Sequence, residues 1–176
     1  MKHGRRTIGA CALLAGLVVC GPPPCAAEPP LEYQVQAAYV SKFLRFVTWP
    51  HERGETFVVG VVGEPDFREA MDALDGYAVG DRVVEVRHVK SLEGLDGLHV
   101  LVVEASTSNE PGYLRAARER PILTVGDDAE FGQDGGIIQF VVVEDTVRFE
   151  INLAAAEHVN LKLSSRLLRL ARNVRK

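Results

Sequence analysis

The chain has 176 residues, with 20 Lys or Arg against 24 Asp or Glu, and its formal net charge is −4 at pH 7. This acidic balance excludes a general nucleic-acid-binding protein, because such proteins present a positive surface to the phosphate backbone. No apolar run reaches the ~20 residues that a membrane-spanning helix needs.

The first 27 residues are organised like a secretory signal peptide. Three basic residues come first, an apolar run follows at 8–19, and small residues at 25–27 precede a cleavage position before Glu28. A buried first helix, a twin-arginine signal and lipid attachment at Cys20 are the alternatives. We predict an exported protein with a signal peptide at 1–27, a short linker at 28–30 and a single domain at 31–176.

Cleavage of this segment would change both the charge and the thiol content of the protein. It removes three basic residues and no acidic ones, so 17 basic and 24 acidic residues remain and the net charge becomes −7. It also removes all three cysteines, which are Cys11, Cys20 and Cys25. The mature domain would therefore have no disulfide, no thiolate metal site and no cysteine nucleophile.

Residues 31–47 predict a helix with two apolar stripes. At 3.6 residues per turn, one stripe holds Tyr33, Ala37, Val40, Leu44 and Val47, and the other holds Val35, Tyr39, Phe43 and Phe46. A surface helix ordinarily has one such stripe. The second stripe therefore packs either on another element of the same domain or on a partner protein, and the sequence leaves both open. Pro50 after Trp49 ends the helix.

Strands and helices alternate in the middle of the chain. Apolar, β-branched runs predict buried strands at 56–63, 98–103 and 121–125. Residues 82–89 alternate between polar and apolar and predict an edge strand with one wet face. Helices are predicted at 66–74 and 110–119. This order favours a mainly parallel sheet with right-handed crossovers.

The pattern changes in the C-terminal part. It predicts a hairpin of strands at 137–143 and 146–151, followed by a helix at 153–159 that Asn152 caps and Asn160 ends. A short strand is predicted at 161–163. A last helix is predicted from 166 to about 174, capped by Ser164 or Ser165, and its inward-facing residues are Leu167, Leu168, Leu170 and Ala171. The predicted fold class is α/β, with a mixed, mainly parallel sheet flanked by helices and a C-terminal antiparallel hairpin followed by helices.

Ligands of a parallel sheet bind beyond the carboxyl ends of its strands. That edge comprises residues 63–66, 104–108 and 124–128, which contain carboxylates and hydroxyls but no histidine or lysine. The chain has no dinucleotide fingerprint, no P-loop and no Ser-His-acid arrangement. We therefore predict no catalytic residue and no cofactor.

Four acidic residues share one loop, at Asp127, Asp128, Glu130 and Asp134. Their spacing does not match a calcium-binding loop, and aspartates are common at turn positions. We therefore predict no metal site in this loop. An enzyme that uses this loop and a metal is a third hypothesis.

Several segments together resemble a known family. They are residues 37–44 (AAYVSKFL) with Phe46 and Trp49-Pro50, residues 123–127 (LTVGD) with Phe131 and 135–137 (GGI), residues 147–152 (VRFEIN), and residues 161–171 (LKLSSRLLRLA). In this order, over nearly the whole of 31–176, the set resembles the YfiR-like periplasmic proteins.

The resemblance implies a non-enzymatic periplasmic regulatory protein. Such a protein binds and represses the periplasmic sensor domain of an inner-membrane diguanylate cyclase, a GGDEF-type signalling protein, and so controls cyclic di-GMP and biofilm formation. The resemblance also implies a homodimer, and it places the family's suggested ligand pocket at Lys162 and Ser164. We predict partner or ligand contacts at Tyr39, Phe43, Phe46, Trp49, Arg148, Glu150, Lys162 and Ser164.

The absence of cysteine from residues 28–176 departs from the best-known members, whose cysteine pairs report redox state. We therefore expect another trigger, such as a small-molecule ligand, sequestration by another protein or envelope stress. The alternative function is a periplasmic small-molecule-binding domain that feeds another envelope signalling or transport system.

Five basic residues near the C-terminus form a solvated helix face or contact lipid headgroups.

Overall fold

The computed structural model describes residues 28–50, 54–107 and 110–176. The predicted signal peptide at 1–27, with its cysteines, lies outside the described residues, as does Ser108 of the predicted ligand edge. The helices are α1 (Leu31–Phe46), α2 (Pro65–Asp72), α3 (Glu110–Ala117), α4 (Leu153–His158) and α5 (Ser165–Leu170), and a 3-10 helix covers Leu92–Leu95. The strands are β1 (Val47–Thr48), β2 (Thr56–Val62), β3 (Ala78–Val79), β4 (Arg82–His88), β5 (Val100–Val103), β6 (Leu123–Gly126), β7 (Ile138–Val143), β8 (Thr146–Asn152), β9 (Lys162–Leu163) and β10 (Asn173–Arg175).

One large sheet has the strand order β10-β8-β7-β6-β5-β2-β4-β3. The five neighbouring strands β4, β2, β5, β6 and β7 are parallel to one another. The pairs β7 with β8 and β3 with β4 are antiparallel. β1 and β9 pair separately as a two-stranded antiparallel sheet. The arrangement confirms the predicted mixed, mainly parallel sheet flanked by helices, with a C-terminal hairpin followed by helices.

The two faces of the sheet belong to two different cores. Successive side chains of a strand point to opposite faces, so β5 sends Val100 and Val102 towards the core of α1 and α2. Its other residues, Leu101 and Val103, join Leu114 of α3. All four residues of β5 are buried for this reason, which explains the continuous apolar run in its sequence.

Side-chain caps stand at the start of the two C-terminal helices, as the sequence predicts. The Asn152 side chain accepts a hydrogen bond from the Ala155 N–H (3.0 Å) at the start of α4. The Ser164 hydroxyl accepts one from the Leu167 N–H (3.3 Å) at the start of α5. Asn160 has a φ of 59°, the left-handed conformation that ends the preceding helix.

The hairpin between β7 and β8 turns at two residues with positive φ. Glu144 has a φ of 48° and Asp145 a φ of 55°. Two consecutive left-handed residues form the turn whose twist matches that of the flanking strands. The predicted hairpin is thereby confirmed, with Val143 opposite Thr146.

The last helix is shorter than predicted. It ends at Leu170, and the following residues form β10, which pairs in parallel with β8. The outer backbone groups of β8 need partners, and the Phe149 carbonyl receives the Arg172 N–H (2.9 Å). Leu170, the last residue of α5, is 64% exposed, so the prediction that it faces inward was wrong.

Two further boundaries differ from the sequence prediction. α1 ends one residue early, because Val47 and Thr48 leave the helix and pair with β9. β4 is not the outermost strand, because the two residues of β3 pair with its first residues and form the edge. A two-residue strand has no periodicity that a sequence could reveal.

Within the described ranges, no helix is both long and apolar enough to cross a membrane.

The loop after β6 is closed by one aromatic side chain. The fully buried ring of Phe131 lies between Gly126 and Gly136, and a Cβ atom on either glycine would overlap it. Glycine is needed at both places because only a residue without a side chain leaves room for the ring. The packing accounts for the spacing of Gly126, Phe131 and Gly136 in the sequence.

Candidate functional site

The predicted contact residues on α1 pack mainly on their own domain. The buried ring of Phe43 lies 5.1 Å from Phe149 and 6.0 Å from Phe140, both on the hairpin. Tyr39 is half-buried, 5.5 Å from Phe149, and its hydroxyl donates to the Val147 carbonyl (3.5 Å). Intramolecular packing therefore accounts for this part of the second apolar stripe.

Three other predicted residues meet at the small sheet of β1 and β9. Thr48 pairs with Lys162, and the Ser164 N–H donates to the Phe46 carbonyl (2.9 Å). Lys162 is exposed, whereas Phe46 and Ser164 are half-buried. The structure thus brings Phe46, Lys162 and Ser164 together from distant parts of the chain.

Trp49 follows directly and is buried beside the same small sheet. Its indole N–H donates to the His99 carbonyl (3.0 Å), and its ring lies 5.3 Å from that of Phe57. A groove of about 610 Å³ opens next to it, lined by Leu44, Arg45, Val47, Thr48, Trp49, Phe57, Val79, Gly80, Asp81 and Arg82. The Arg82 guanidinium lies over the Phe57 ring at 4.8 Å. Aromatic walls with nearby arginines suit a ligand that is apolar and carries a negative charge.

The remaining predicted pair lies on the opposite face of β8. Arg148 is exposed, and the Glu150 carboxylate accepts a hydrogen bond from the Arg172 guanidinium at 2.6 Å. Because alternate residues of β8 point to opposite faces, neither side chain shares the face of Phe149. The structure therefore does not bring Arg148 and Glu150 together with the groove or with the aromatic group on α1.

The carboxyl-end edge of the sheet carries a second group of polar side chains. Glu104, directly after β5, is only 4% exposed. One of its oxygens accepts the Tyr33 hydroxyl (2.6 Å), and the other accepts the Glu64 N–H (2.6 Å). The carboxylate of Glu104 raises the pKa of Tyr33 above its usual range, chiefly through this hydrogen bond.

Asp127, directly after β6, lies beside Glu104 because β5 and β6 are neighbouring parallel strands. One Asp127 oxygen accepts the Ala105 N–H (2.7 Å), and the other accepts the Gln36 amide at 3.4 Å. Burial raises the pKa of Asp127, the nearby charge of Glu104 adds to the effect, and the two hydrogen bonds oppose it. The edge thus holds two carboxylates beneath the first turns of α1.

Glu110, the first residue of α3, adds a further carboxyl group to this edge. Burial raises its pKa to about 7, and the charges of Asp128, Asp127 and Asp134 contribute. A raised pKa means that the folded protein holds the proton more tightly than the unfolded chain. Its contribution to stability is therefore present at acid pH and is lost as the pH rises through about 7.

Sequence reasoning identified this edge but missed the two side chains that α1 supplies to it. Tyr33 was assigned to an apolar stripe, and Gln36 belonged to neither stripe. Gln36 is in fact 1% exposed, and a buried amide in a helix is unusual. Among the described residues, no three His, Cys, Asp or Glu side chains are grouped so that they could hold a metal ion.

Comparison with known proteins identifies the family. The family described as YfiR/HmsC-like matches residues 33–172, which extend from the first turn of α1 to the residue before β10. No curated protein matches the chain. Because the match covers most of the chain and agrees with the resemblance of its ordered segments, the chain belongs to the YfiR/HmsC-like family.

Proposed function

We propose that this protein is a non-enzymatic periplasmic regulator that binds and represses the periplasmic sensor domain of an inner-membrane, GGDEF-type diguanylate cyclase. Membership of the YfiR/HmsC-like family over residues 33–172 is the observation that carries the proposal. Repression of the cyclase lowers cyclic di-GMP and restrains biofilm formation. Export by the N-terminal segment and assembly as a homodimer belong to the same proposal.

An accessible basic surface supports binding to a protein partner. Lys162, Arg166 and Arg169 are exposed, and none of them joins an ion pair within the described part of the chain. Leu170 beside them is 64% exposed. We call these four residues the basic surface. A positive surface with an exposed apolar side chain on an otherwise acidic protein favours an acidic partner surface.

We expect deletion of the gene to raise cyclic di-GMP, and crosslinking in intact cells to capture a membrane-bound GGDEF protein. Arg169→Glu combined with Lys162→Glu should raise cyclic di-GMP as the deletion does, because both reverse the charge of the basic surface. Arg115→Glu is the matched control, since Arg115 is an exposed arginine on α3. Measurements are cyclic di-GMP by mass spectrometry, with protein abundance by immunoblot.

Unchanged cyclic di-GMP in the deletion strain, together with no signalling protein among the crosslinked products, would contradict the proposal. If Arg115→Glu acted as strongly as the double variant, the basic surface would not be the binding surface. The mass of the purified protein by light scattering tests the dimer. Its N-terminal residue, expected to be Glu28, tests export.

A small-molecule-binding domain is the second candidate function, and the groove beside Trp49 favours it. Trp49 is the single tryptophan of the chain, so its fluorescence reports on the groove. We expect an aromatic carboxylate to change this fluorescence saturably, and Arg82→Ala to weaken the binding by about tenfold, as expected for one lost charged contact. Arg87→Ala, an exposed arginine on the same strand, is the control. The absence of saturable change with a panel of such ligands would remove this candidate.

A further inference from the structure

Two carboxylates at the carboxyl-end edge are held close together by neutral hydrogen-bond donors. Glu104 and Asp127 are linked through the Ala105 N–H, which follows Glu104 in the chain and donates to Asp127 at 2.7 Å. Their hydrogen-bond donors are neutral, namely the Tyr33 hydroxyl, the Gln36 amide and backbone N–H groups. Within residues 28–50, 54–107 and 110–176, neither carboxylate takes part in an ion pair.

The charges around this pair are also negative. Glu32 lies on α1 and Glu110 on α3, and Asp128 follows in the loop after β6; each adds to the negative field of the edge. Burying carboxylates without a compensating charge is costly, and proteins ordinarily offset it with a cationic side chain or a bound cation.

Two buried oxygen atoms at the same edge have no hydrogen-bond partner among the residues that the structure describes. The first is Oε1 of Gln36, a side chain that is 1% exposed and whose amide lies against Asp127. The second is the hydroxyl of Thr107, in the short turn that begins at Glu104, where the Thr107 N–H donates to the Glu104 carbonyl (3.0 Å). Buried polar atoms without partners are rare in folded proteins, and each calls for an explanation such as an ion.

The contact between Gln36 and Asp127 is itself weak. The amide nitrogen lies 3.4 Å from the carboxylate oxygen, whereas a hydrogen bond to a charged carboxylate is ordinarily about 2.7–2.9 Å. The buried amide is thus adjacent to the carboxylate but poorly satisfied by it. Half a turn of the amide about its last bond exchanges its nitrogen and its oxygen. A cation that contacts the turned amide and the carboxylate would satisfy the amide oxygen and the charge of Asp127 together.

We propose that Glu104, Asp127, the Gln36 amide oxygen and the Thr107 hydroxyl form a binding site for a divalent cation of the Ca²⁺ class. Carboxylate, amide and hydroxyl oxygens are hard ligands, and Ca²⁺ accepts six to eight oxygens in irregular geometry. The site takes only Asp127 from the acidic loop, so the poor spacing of that loop does not argue against it. A bound cation would join α1, through Gln36, to the loops after β5 and β6. The proposal is independent of the partner proposed above.

The test uses the full mature chain, freed of metal with a chelator. We expect Ca²⁺ to raise the midpoint of thermal unfolding saturably, in proportion to the logarithm of its concentration above the dissociation constant. NaCl at equal ionic strength should not reproduce the effect, although it screens the acidic surface equally. Asp127→Asn should weaken Ca²⁺ binding, measured by calorimetry, by at least about tenfold. Glu157→Gln, which neutralises an exposed carboxylate on α4 away from this edge, should leave it unchanged.

Two further measurements keep the test decisive if Asp127→Asn folds poorly. Thr107→Val replaces only an unpartnered hydroxyl, and we expect it to fold normally and to weaken Ca²⁺ binding. Tb³⁺ in place of Ca²⁺ should luminesce on excitation of tyrosine, because the Tyr33 hydroxyl contacts Glu104. Tyr33→Phe should abolish most of that signal. The proposal is overturned if Ca²⁺ binds without saturation, if NaCl stabilises equally, or if Glu157→Gln weakens binding as much as Asp127→Asn.

Discussion

Phe43→Ala is expected to lower the free energy of unfolding by about 3–5 kcal/mol, the range for removal of a buried phenylalanine. Phe43 is 1% exposed, and its ring contacts Phe140 and Phe149 of the hairpin. Its removal leaves a cavity between α1 and the sheet, so the variant loses both burial and aromatic contacts. Urea denaturation followed by circular dichroism measures the change.

The matched control is Leu170→Ala, which truncates a leucine that is 64% exposed. We expect it to change stability by no more than about 0.5 kcal/mol, as for most surface substitutions. If Phe43→Ala were as mild as the control, the ring would not be buried against the hairpin. Phe43 would then be free to contact a partner, as the second apolar stripe allows.

Gly126→Val is expected to destabilise the protein by about 3 kcal/mol, at the upper end of the range for overpacking. Valine favours strands more than glycine does, so local propensity predicts a gain in stability at the last residue of β6. The tertiary structure predicts the opposite, because a Cβ atom at this position would overlap the buried ring of Phe131. Urea denaturation of the purified variant measures the difference.

A double variant separates this clash from a general effect of the substitution. Phe131→Leu shortens the side chain that meets Gly126, so Gly126→Val should cost less in that background than in the wild-type protein. Equal costs in both backgrounds would show that the ring of Phe131 is not the reason for the glycine. The cycle thus tests why Gly126, Phe131 and Gly136 occur together.

The sequence predicted elements well where the signal is local. Asn152 and Ser164 cap their helices through side-chain bonds to residues three positions later, which a sequence shows directly. The prediction failed where the partner is distant. The end of α5 and the strand β10 depend on the free edge of β8, and no pattern within residues 166–176 reports it.

The candidate sites show the same difference between local signals, which the sequence reveals, and distant contacts, which it does not. The acidic edge was predicted, because residues after parallel strands must share one end of the sheet. Its connection to α1 was not, since the Tyr33–Glu104 and Gln36–Asp127 bonds join residues 71 and 91 positions apart. Phe46, Lys162 and Ser164 were predicted separately, and only the pairing of β1 with β9 brings them together.

The sequence by itself determined the alternation of strands and helices, the hairpin and its caps, and the acidic charge of the domain, because periodicity, turn residues and composition act over short distances. The family resemblance also rests on the sequence, since it depends on ordered segments. Only the tertiary structure decided which face of α1 is covered and which carboxylates meet beneath it. Those outcomes depend on which distant surfaces pack together and on which polar atoms the packing leaves without a partner.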